Sequence, residues 1–246
     1  MMSLKKIVIG LGENKNVEKA VRQFLKDYDV NIHIVRNSED LIKSVFDENV
    51  DAVVRGSLPA NNIISKLKSK HNNLNVNRAT LIEKEDDYKF LIAPVGIDEA
   101  QNLEERIKLA KQTINFFEKI NITPTIAVLA KGRNDDYNRL KTVDTSLKDS
   151  EKLTKTLKKE YPKYNIKNYH ILIEKAIHDK CNILLAPDGI IGNIIFRTLA
   201  LINKWPSMGA ITLGIPNVYI DTSRDQSAEV YYRSLKLAYN LSEKNL

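Results

Sequence analysis

The sequence predicts an α/β fold of two doubly wound, Rossmann-like lobes, each with a largely parallel sheet covered by helices. Short hydrophobic runs alternate with amphipathic stretches of ten or more residues almost to the end of the chain. This alternation is typical of parallel strands joined by right-handed helical crossovers. Eight or more such strands occur at uneven spacing in 246 residues, which favours two open sheets over a barrel.

Helical periodicity identifies the elements of the first half. The stretch 14–26 repeats apolar residues on one helical face, and Ser38 has the residue type of an N-cap with Glu39 and Asp40 in the following turn. The predicted elements are strand 5–9, helix 14–26, strand 30–35, a helix from Ser38, strand 51–54, helix 59–70, strand 79–83 and strand 89–93.

The second half continues the same alternation. Its clearest helix spans 102–119, where Leu103, Ile107, Ala110 and Ile114 share one face. A charged loop, 131–141, separates a buried strand from a polar helix. The predicted elements after helix 102–119 are strand 125–130, helix 144–159, strand 183–186, helix 192–203, strand 210–214 and helix 226–241.

Composition excludes several classes of protein. The hydrophobic fraction of 43% and the charged fraction of 28% are ordinary for a globular chain. The net charge of +7 is spread among interleaved acids, which favours a solvated basic surface or small anionic ligands over nucleic acid. No apolar stretch reaches the ~20 residues of a membrane span, and the start does not resemble a signal peptide, so we expect a cytoplasmic protein with no membrane partner.

Cysteine and histidine usage predicts no metal site. Cys181 is the only cysteine, so no internal disulfide can form, and its place beside a hydrophobic strand favours burial over a role as nucleophile. The four histidines do not have the spacing of metal ligands.

In an open α/β sheet, ligands bind beyond the carboxyl ends of the strands, so the residues there are the candidate site. The first strand is followed by Gly10 and Gly12, but Lys15 stands where a dinucleotide fingerprint needs its third glycine, which favours a simple tight turn. Two other strand ends carry cations around a glycine, and each fits either an anion contact or a structural turn. These are Arg55, Gly56 and Ser57 after strand 51–54, and Lys131, Gly132 and Arg133 after strand 125–130.

The strongest signal follows strand 183–186. Asp188 is placed to accept hydrogen bonds across the crevice, and Gly192 allows close backbone approach. Gly189 belongs to the same candidate site, and a purely structural role would also explain both glycines. Asn193 suits either a helix cap or a substrate contact. Near the C-terminal helix, Ser223 precedes Arg224, whose planar guanidinium suits phosphate.

The motif Pro187-Asp188-x-x-x-Gly192-Asn193 resembles the helix entry of phosphate acetyl- and butyryltransferases. Gly209, Gly214 and Pro216 follow in the order of that family, and Ser223-Arg224 comes after them. Within this superfamily the sequence resembles the archaeal, methanogen methyltransferase-related group (MtxX), also called methanogenesis marker proteins. Lys131-Gly132-Arg133 stands where the acyltransferases have a Ser/Thr-rich phosphate loop.

The resemblance implies a cleft between the two lobes, in the manner of the isocitrate/isopropylmalate dehydrogenase-like superfold. It implies one discontinuous lobe of residues 1–85 and 211–246 and one inserted central lobe of residues 86–210. In the acyltransferases the cleft binds CoA and an acyl phosphate, so the resemblance implies a phosphate-bearing small-molecule ligand, with Ser223 and Arg224 holding its anionic group. It also implies a homodimer.

Three functions are compatible with the sequence. The resemblance favours a transferase linked to methyl transfer in methanogenesis. A CoA-dependent acyl or phosphoryl transferase is an alternative, and a non-catalytic ligand-binding or assembly protein of methanogenesis is another. No motif for S-adenosylmethionine or a corrinoid is present, so the cofactor is unknown, and no activated nucleophile identifies a catalytic residue.

Overall fold

The computed structural model describes residues 4–59, 63–70, 76–84 and 88–243. The chain divides into two compact units. Met1–Val76 and Ser207–Leu246 form what we call the terminal unit, and Asn77–Pro206 forms the central unit.

Strands and helices alternate through both units, as predicted from hydrophobic periodicity. In chain order the elements are β1 Lys6–Gly10, α1 Asn16–Asp27, β2 Asn31–Val35, α2 Ser38–Val45, β3 Ala52–Val54, α3 Ile63–Lys70, β4 Asn77–Glu83, β5 Lys89–Ala93, α4 Leu103–Lys119, β6 Thr125–Leu129, a 3₁₀ turn Asn134–Asp136, α5 Lys141–Glu160, β7 Asn165–His170, α6 Ile173–His178, β8 Ile183–Leu185, α7 Gly189–Arg197, a π-helical turn Thr198–Ile202, β9 Ser207–Leu213, β10 Val218–Asp221 and α8 Ala228–Ser242.

The sheet of the terminal unit has the strand order β2-β1-β3-β10-β9. Strands β2, β1, β3 and β10 are parallel, and β9 runs antiparallel to β10. The chain leaves β1 toward β2 on one side and then crosses back to β3 on the other. Because both crossovers are right-handed, α1 and α2 lie on opposite faces of the sheet, which is the doubly wound arrangement.

Two apolar layers hold the helices of the terminal unit on its sheet. On one face, α2 and α3 pack Leu41, Val45 and Leu67 against alternate strand residues such as Val8 and Val53, all of them buried. In the other layer, aromatic rings join α1 to α8. Phe24 stacks on Tyr28 with 4.3 Å between ring centroids, and Tyr239 packs edge-on against Phe24 at 6.2 Å. Each fully buried side chain of this size contributes ~1.5–3 kcal/mol of hydrophobic stabilisation.

The sheet of the central unit has the order β4-β5-β8-β6-β7. Strands β5, β8, β6 and β7 are parallel, and β4 is antiparallel to β5. This pairing accounts for the place of β4 in the central unit, whereas the lobe boundaries implied by the resemblance placed 77–85 in the discontinuous lobe. Those boundaries, and the cleft, stay predictions.

The fold class is confirmed, and several details of the elements needed correction. The N-cap of α2 is Asn37, not Ser38, because the Asn37 side chain accepts from the Asp40 N–H at 2.9 Å. Helix α5 begins at Lys141 rather than 144. Helix α7 begins at Gly189 rather than at 192 and ends at Arg197, and a π-helical turn follows it over Thr198–Ile202. Of the predicted helix 59–70, residues 60–62 lie outside the described residues.

Two strands and one helix were missed. Strand β7, Asn165–His170, is mostly polar and lies at the edge of its sheet, so it has no hydrophobic run. Strand β10, Val218–Asp221, was also missed and has four residues. Helix α6, Ile173–His178, has six residues, and its short length hides any periodicity.

Candidate functional site

A pocket lies at the carboxyl end of the parallel strands in the terminal unit. The chain passes from β1 to β2 on one side of β1 and then returns to β3 on its other side. The topological switch point therefore falls between β1 and β3, and open α/β sheets bind ligands at such a point. The pocket has a volume of about 430 Å³ and is lined from the ends of β1, β2 and β3 and from the turn before α8. The lining residues are Leu11, Gly12, Glu13, Lys15, Arg36, Ser57, Leu58, Pro59 and Arg224.

This pocket is rich in positive charge. Among the described residues that line it, Lys15, Arg36 and Arg224 are cationic and Glu13 is the one carboxylate. The Arg36 side chain is 67% exposed and stands 3.9 Å from the Glu18 carboxylate, a contact too long and too solvated to hold it firmly. The Arg224 side chain is exposed and pairs with no other described group. The free cations leave the pocket suited to an anion.

Ser57 lines the pocket, and Gly56, which precedes it, does not. Gly56 has φ of 62°, and a Cβ there would lie 1.8 Å from the carbonyl oxygen of Gly10, so a side chain cannot be accommodated. The Ser57 hydroxyl accepts from the Gly12 N–H at 2.9 Å and donates to the Asn14 carbonyl at 3.2 Å. It thereby ties the loop after β1 to the loop after β3, and its proton is already used.

Arg55 does not line this pocket. Its guanidinium is buried, forms an ion pair with Asp221, and donates to the Leu58 carbonyl at 2.8 Å. From the sequence, Arg55 was expected either to donate to an anion or to form part of a structural turn. The structure places it between the ends of β3 and β10, where it joins two neighbouring strands.

The turn that carries Ser223 and Arg224 is held through its carbonyl groups. The Tyr231 hydroxyl shares its single proton between the Ser223 carbonyl at 3.0 Å and the Arg224 carbonyl at 2.5 Å. Asn14 Nδ2 also donates to the Arg224 carbonyl, at 3.3 Å. Burial raises the pKa of the Tyr231 hydroxyl, so it stays a donor. The backbone is thus fixed while the Arg224 side chain stays free to reach the pocket. Ser223 is exposed and does not line it.

A second pocket, of about 280 Å³, lies within the central unit. It is formed by the residues after β6 and β8, by the start of α4 with the two residues before it, and by the first three turns of α5. The lining residues are Gln101, Asn102, Arg106, Lys131, Lys141, Thr142, Thr145, Ser146, Asp149, Pro187 and Asp188. The structure thus brings two predicted site residues, Lys131 and Asp188, to one pocket.

Asp188 has two structural partners. One carboxylate oxygen accepts from the Ile191 N–H at 2.9 Å and caps α7, and the other binds the Lys131 ammonium at 2.7 Å. Partial burial raises the pKa of Asp188, but the Lys131 hydrogen bond and the Ile191 N–H outweigh it, so the pKa is lowered overall. Asp188 is therefore ionised at neutral pH and holds the cation next to the pocket.

The glycines of this motif accommodate the chain's own backbone. A Cβ on Gly189 would lie 1.5 Å from the Gly96 carbonyl oxygen, and one on Gly192 would lie 1.8 Å from that of Pro94. Asn193 donates to the Val95 carbonyl at 2.8 Å. The first turn of α7 therefore packs directly on the segment after β5, and the predicted close backbone approach is made by this segment.

In the loop after β6, Gly132 and Arg133 have structural contacts, and Lys131 lines the pocket. A Cβ on Gly132 would lie 2.6 Å from a methyl of Val143, so this glycine allows α5 to pack close. Arg133 donates its N–H to Asp136 at 2.8 Å, and its side chain is exposed and outside the pocket lining. Of the three predicted residues, Lys131 alone lines the pocket.

Arg106 was missed by the sequence analysis. It is 4% exposed, although it belongs to the amphipathic helix α4. One terminal nitrogen donates to the Leu129 carbonyl at 3.0 Å, and the buried Nε has no acceptor among the described residues. Burial lowers the pKa of Arg106 to about 10 against the opposing charges of Asp149 and Asp188. Its spacing from Leu103 and Ala110 places it on the apolar face of α4. A charged residue at such a position was the sequence feature that could have indicated a buried cation.

No group of three or more potential metal ligands occurs among the described residues. Cys181 is buried, and this burial raises the pKa of its thiol. Within the described part of the chain, no helix is both long and apolar enough to cross a bilayer.

Comparison with known proteins supplies the family. No family model matches the chain. The chain is 35% identical over 237 residues to an uncharacterized methyltransferase of Methanocaldococcus jannaschii, covering 93% of this chain and 94% of that protein. It is also 35% identical over 205 residues to a Methanosarcina barkeri protein named "Putative methyltransferase mtx subunit X", covering 83% of this chain and 74% of that protein.

Solved structures confirm the fold. A branched-chain phosphotransacylase from Enterococcus faecalis matches with a TM-score of 0.74 at 16% identity, covering 97% of this chain and 99% of that chain. A 4-hydroxythreonine-4-phosphate dehydrogenase from Klebsiella pneumoniae matches with a TM-score of 0.62 at 11% identity, again covering 97% and 99%. The identity to the methanogen proteins extends over most of both sequences and confirms the predicted resemblance, so this chain belongs to the methanogen methyltransferase-related (Mtx subunit X) family.

Proposed function

We propose that this protein is a transferase that binds a phosphate-bearing small molecule in the pocket of the terminal unit. The observation that carries the proposal is the excess of cations at the switch point of that sheet. Lys15, Arg36 and Arg224 line the pocket with Glu13 as their one described acidic neighbour. Its volume of about 430 Å³ falls in the range of small-molecule sites.

Several features favour phosphate within this pocket. The planar guanidinium groups of Arg36 and Arg224 present paired donors that match phosphate oxygens. Helix α1 begins beside the pocket at Asn16, and the positive end of its dipole adds to the side-chain charge. Ser57 has both hydrogen bonds occupied within the fold, so we assign it the positioning of the loops and assign Arg224 the direct contact.

For the reaction, we propose methyl transfer by direct displacement between bound ligands. The relatives named as methyltransferases support the group transferred. The one cysteine is buried with a raised thiol pKa, which disfavours a covalent intermediate on that residue. The contribution of the protein would then be alignment of the reactants and stabilisation of charge.

A CoA-dependent acyl or phosphoryl transferase is the second candidate, favoured by the phosphotransacylase-like fold. A ligand-binding protein without turnover is the third, because the described residues of the pocket include no evident acid–base or nucleophilic pair. Consumption of CoA in the presence of acetyl phosphate distinguishes the second candidate, and stabilisation by a ligand without turnover distinguishes the third.

The test is a thermal-shift screen of inorganic phosphate, acetyl phosphate, CoA, S-adenosylmethionine, a cobamide and tetrahydromethanopterin. It compares the wild type with Arg224→Ala and with Arg22→Ala, a matched control on α1 that is exposed and outside the pocket lining. A ligand at one hundred times its dissociation constant stabilises the folded protein by ~2.7 kcal/mol. We expect a phosphate-bearing ligand to stabilise the wild type and Arg22→Ala much more than Arg224→Ala. Equal responses from all three proteins would contradict the assignment.

We also propose the homodimer implied by the resemblance. Four large apolar side chains on α7 and its π-helical extension are at least half exposed, which is the composition of a protein-contact surface. They are Ile190 at 54%, Ile194 at 58%, Leu201 at 51% and Ile202 at 77%. Size-exclusion chromatography with light scattering should give twice the chain mass for the wild type and a lower mass for Ile194→Asp.

A further inference from the structure

We infer that the central unit carries a second anion site, which binds a carboxylate or phosphoryl group between Arg106 and the first turn of α5. All lining residues of the pocket at this site belong to the central unit, and none of them lines the pocket of the terminal unit. Arg106, Lys141 and Thr142 of this site were not among those predicted from the sequence. The inference rests on one buried cation, one open helix end and the charges around them.

The buried cation is Arg106. A guanidinium has five N–H donors, and a buried donor without an acceptor is unfavourable. Arg106 is 4% exposed, yet within the described part of the chain its one acceptor is the Leu129 carbonyl, and Nε has none. Arg106 also lines the pocket of about 280 Å³. An oxyanion bound there can accept from the guanidinium N–H groups that face the pocket.

The open helix end belongs to α5. Its N-cap residue is Leu140, which cannot accept a hydrogen bond through its side chain. The neighbouring helix entries differ, because Asn102 caps α4 and Asp188 caps α7 through their own side chains. Lys141 and Thr142, in the uncapped first turn of α5, line the same pocket as Arg106. An anion would therefore meet free backbone N–H groups as well as a guanidinium.

The remaining charges favour an anion and limit its size. The pocket contains three cations and two carboxylates, and one of these pairs, Lys131 with Asp188, is closed at 2.7 Å. Arg106 and Lys141 then face Asp149, which forms no ion pair with either among the described contacts. A volume of about 280 Å³ holds a single acidic group with a short substituent but not a whole nucleotide.

The experiment uses isothermal titration of sodium phosphate and sodium succinate into the full-length protein at constant ionic strength. All variants are made in an Arg224→Ala background, which disables the proposed phosphate contact of the terminal unit. We expect this background protein to bind at least one of the two probes. Phosphate binding alone would identify a phosphoryl group as the ligand chemistry, and succinate binding alone would identify a carboxylate. Binding of neither probe would overturn the inference, whatever the wild type does.

Three variants test the assignment of residues. Arg106→Met keeps most of the side-chain volume and removes the charge, and Thr142→Glu puts a carboxylate in the uncapped turn. Each should weaken binding at least tenfold, which corresponds to 1.4 kcal/mol. Asp149→Asn should tighten binding, because it removes the opposing carboxylate. Thr156→Glu, on α5 but outside the lining, is the matched control and should bind as the background protein does.

The variants also separate ligand binding from stability. Thr142 is exposed, and an acidic residue in a first helical turn is favourable, so Thr142→Glu should fold even if Arg106→Met does not. If Thr142→Glu binds the probe as strongly as Thr156→Glu, the site is not at this helix end. If Asp149→Asn weakens binding, Asp149 serves the site differently from the proposal. Either result would overturn the inference.

Discussion

The pairing of Arg55 with Asp221 predicts that Arg55→Met will damage the fold of the terminal unit rather than a ligand contact. The side chains of the pair are 7% and 12% exposed, so both charges are removed from water. Removing one partner of such a pair costs ~3–5 kcal/mol, because the other charge stays buried. The substitution also removes the donor to the Leu58 carbonyl at 2.8 Å.

Urea denaturation followed by circular dichroism measures this cost. With a urea dependence of ~3 kcal/mol/M, the unfolding midpoint of Arg55→Met should fall by roughly 1 M or more. Asp221→Asn should lose a comparable amount. The double variant should lose clearly less than the sum of the two, because the first substitution already breaks the shared interaction.

Arg224→Met is the matched control, since it removes the same group from an exposed position in the same unit. Its free energy of unfolding should change by no more than ~0.5 kcal/mol. The structural assignment of Arg55 would be refuted if Arg55→Met matched this control in stability and lost ligand binding instead. That outcome would support the alternative left open by the sequence, in which Arg55 contacts the anion.

Three further predictions concern the central unit. Gly192→Ala places a methyl 1.8 Å from the Pro94 carbonyl oxygen and should cost ~1–3 kcal/mol of unfolding free energy in the same urea assay; wild-type stability would show that α7 can shift. Asp188→Ala should cost ~0.5–2 kcal/mol at pH 7 through loss of the cap on the Ile191 N–H, and Asp188→Asn should cost less because asparagine also caps. Because the pKa of Asp188 is lowered in the folded state, the greater stability of the wild type over Asp188→Ala should be fully present above the unfolded-state pKa of ~3.9. This difference in unfolding free energy should decline as the pH falls through the folded-state pKa. A difference that does not decline would exclude a charged cap. Cys181 should react with a thiol reagent at pH 8 far more slowly in the native protein than in urea, since burial raises its pKa, and equal rates would contradict its burial.

The sequence by itself determined the fold class, because burial imposes a period on residues that pack against a core. Amphipathic spacing predicted α1 and α4 to within about two residues at each end. Where little of an element is buried, the period disappears, which is why the edge strand Asn165–His170 escaped prediction. The Pro187-Asp188-x-x-x-Gly192-Asn193 motif, the Arg55-Gly56-Ser57 turn and the short chain together predicted the methanogen family, which the methanogen relatives confirm.

The partner of each polar group was decided only by tertiary structure. Arg55 and Asp221 are far apart in the chain, and the parallel pairing of β3 with β10 brings them together. Gly192 was predicted to allow close backbone approach, and the chain's own Pro94 carbonyl makes that approach. Local sequence gives residue type and periodicity, whereas the acceptor that satisfies a buried donor comes from strand order. Arg106 shows this most clearly. Its place on an apolar helical face was visible in the sequence, whereas the lack of an acceptor for its Nε among the described residues and its place in the lining of a pocket were not.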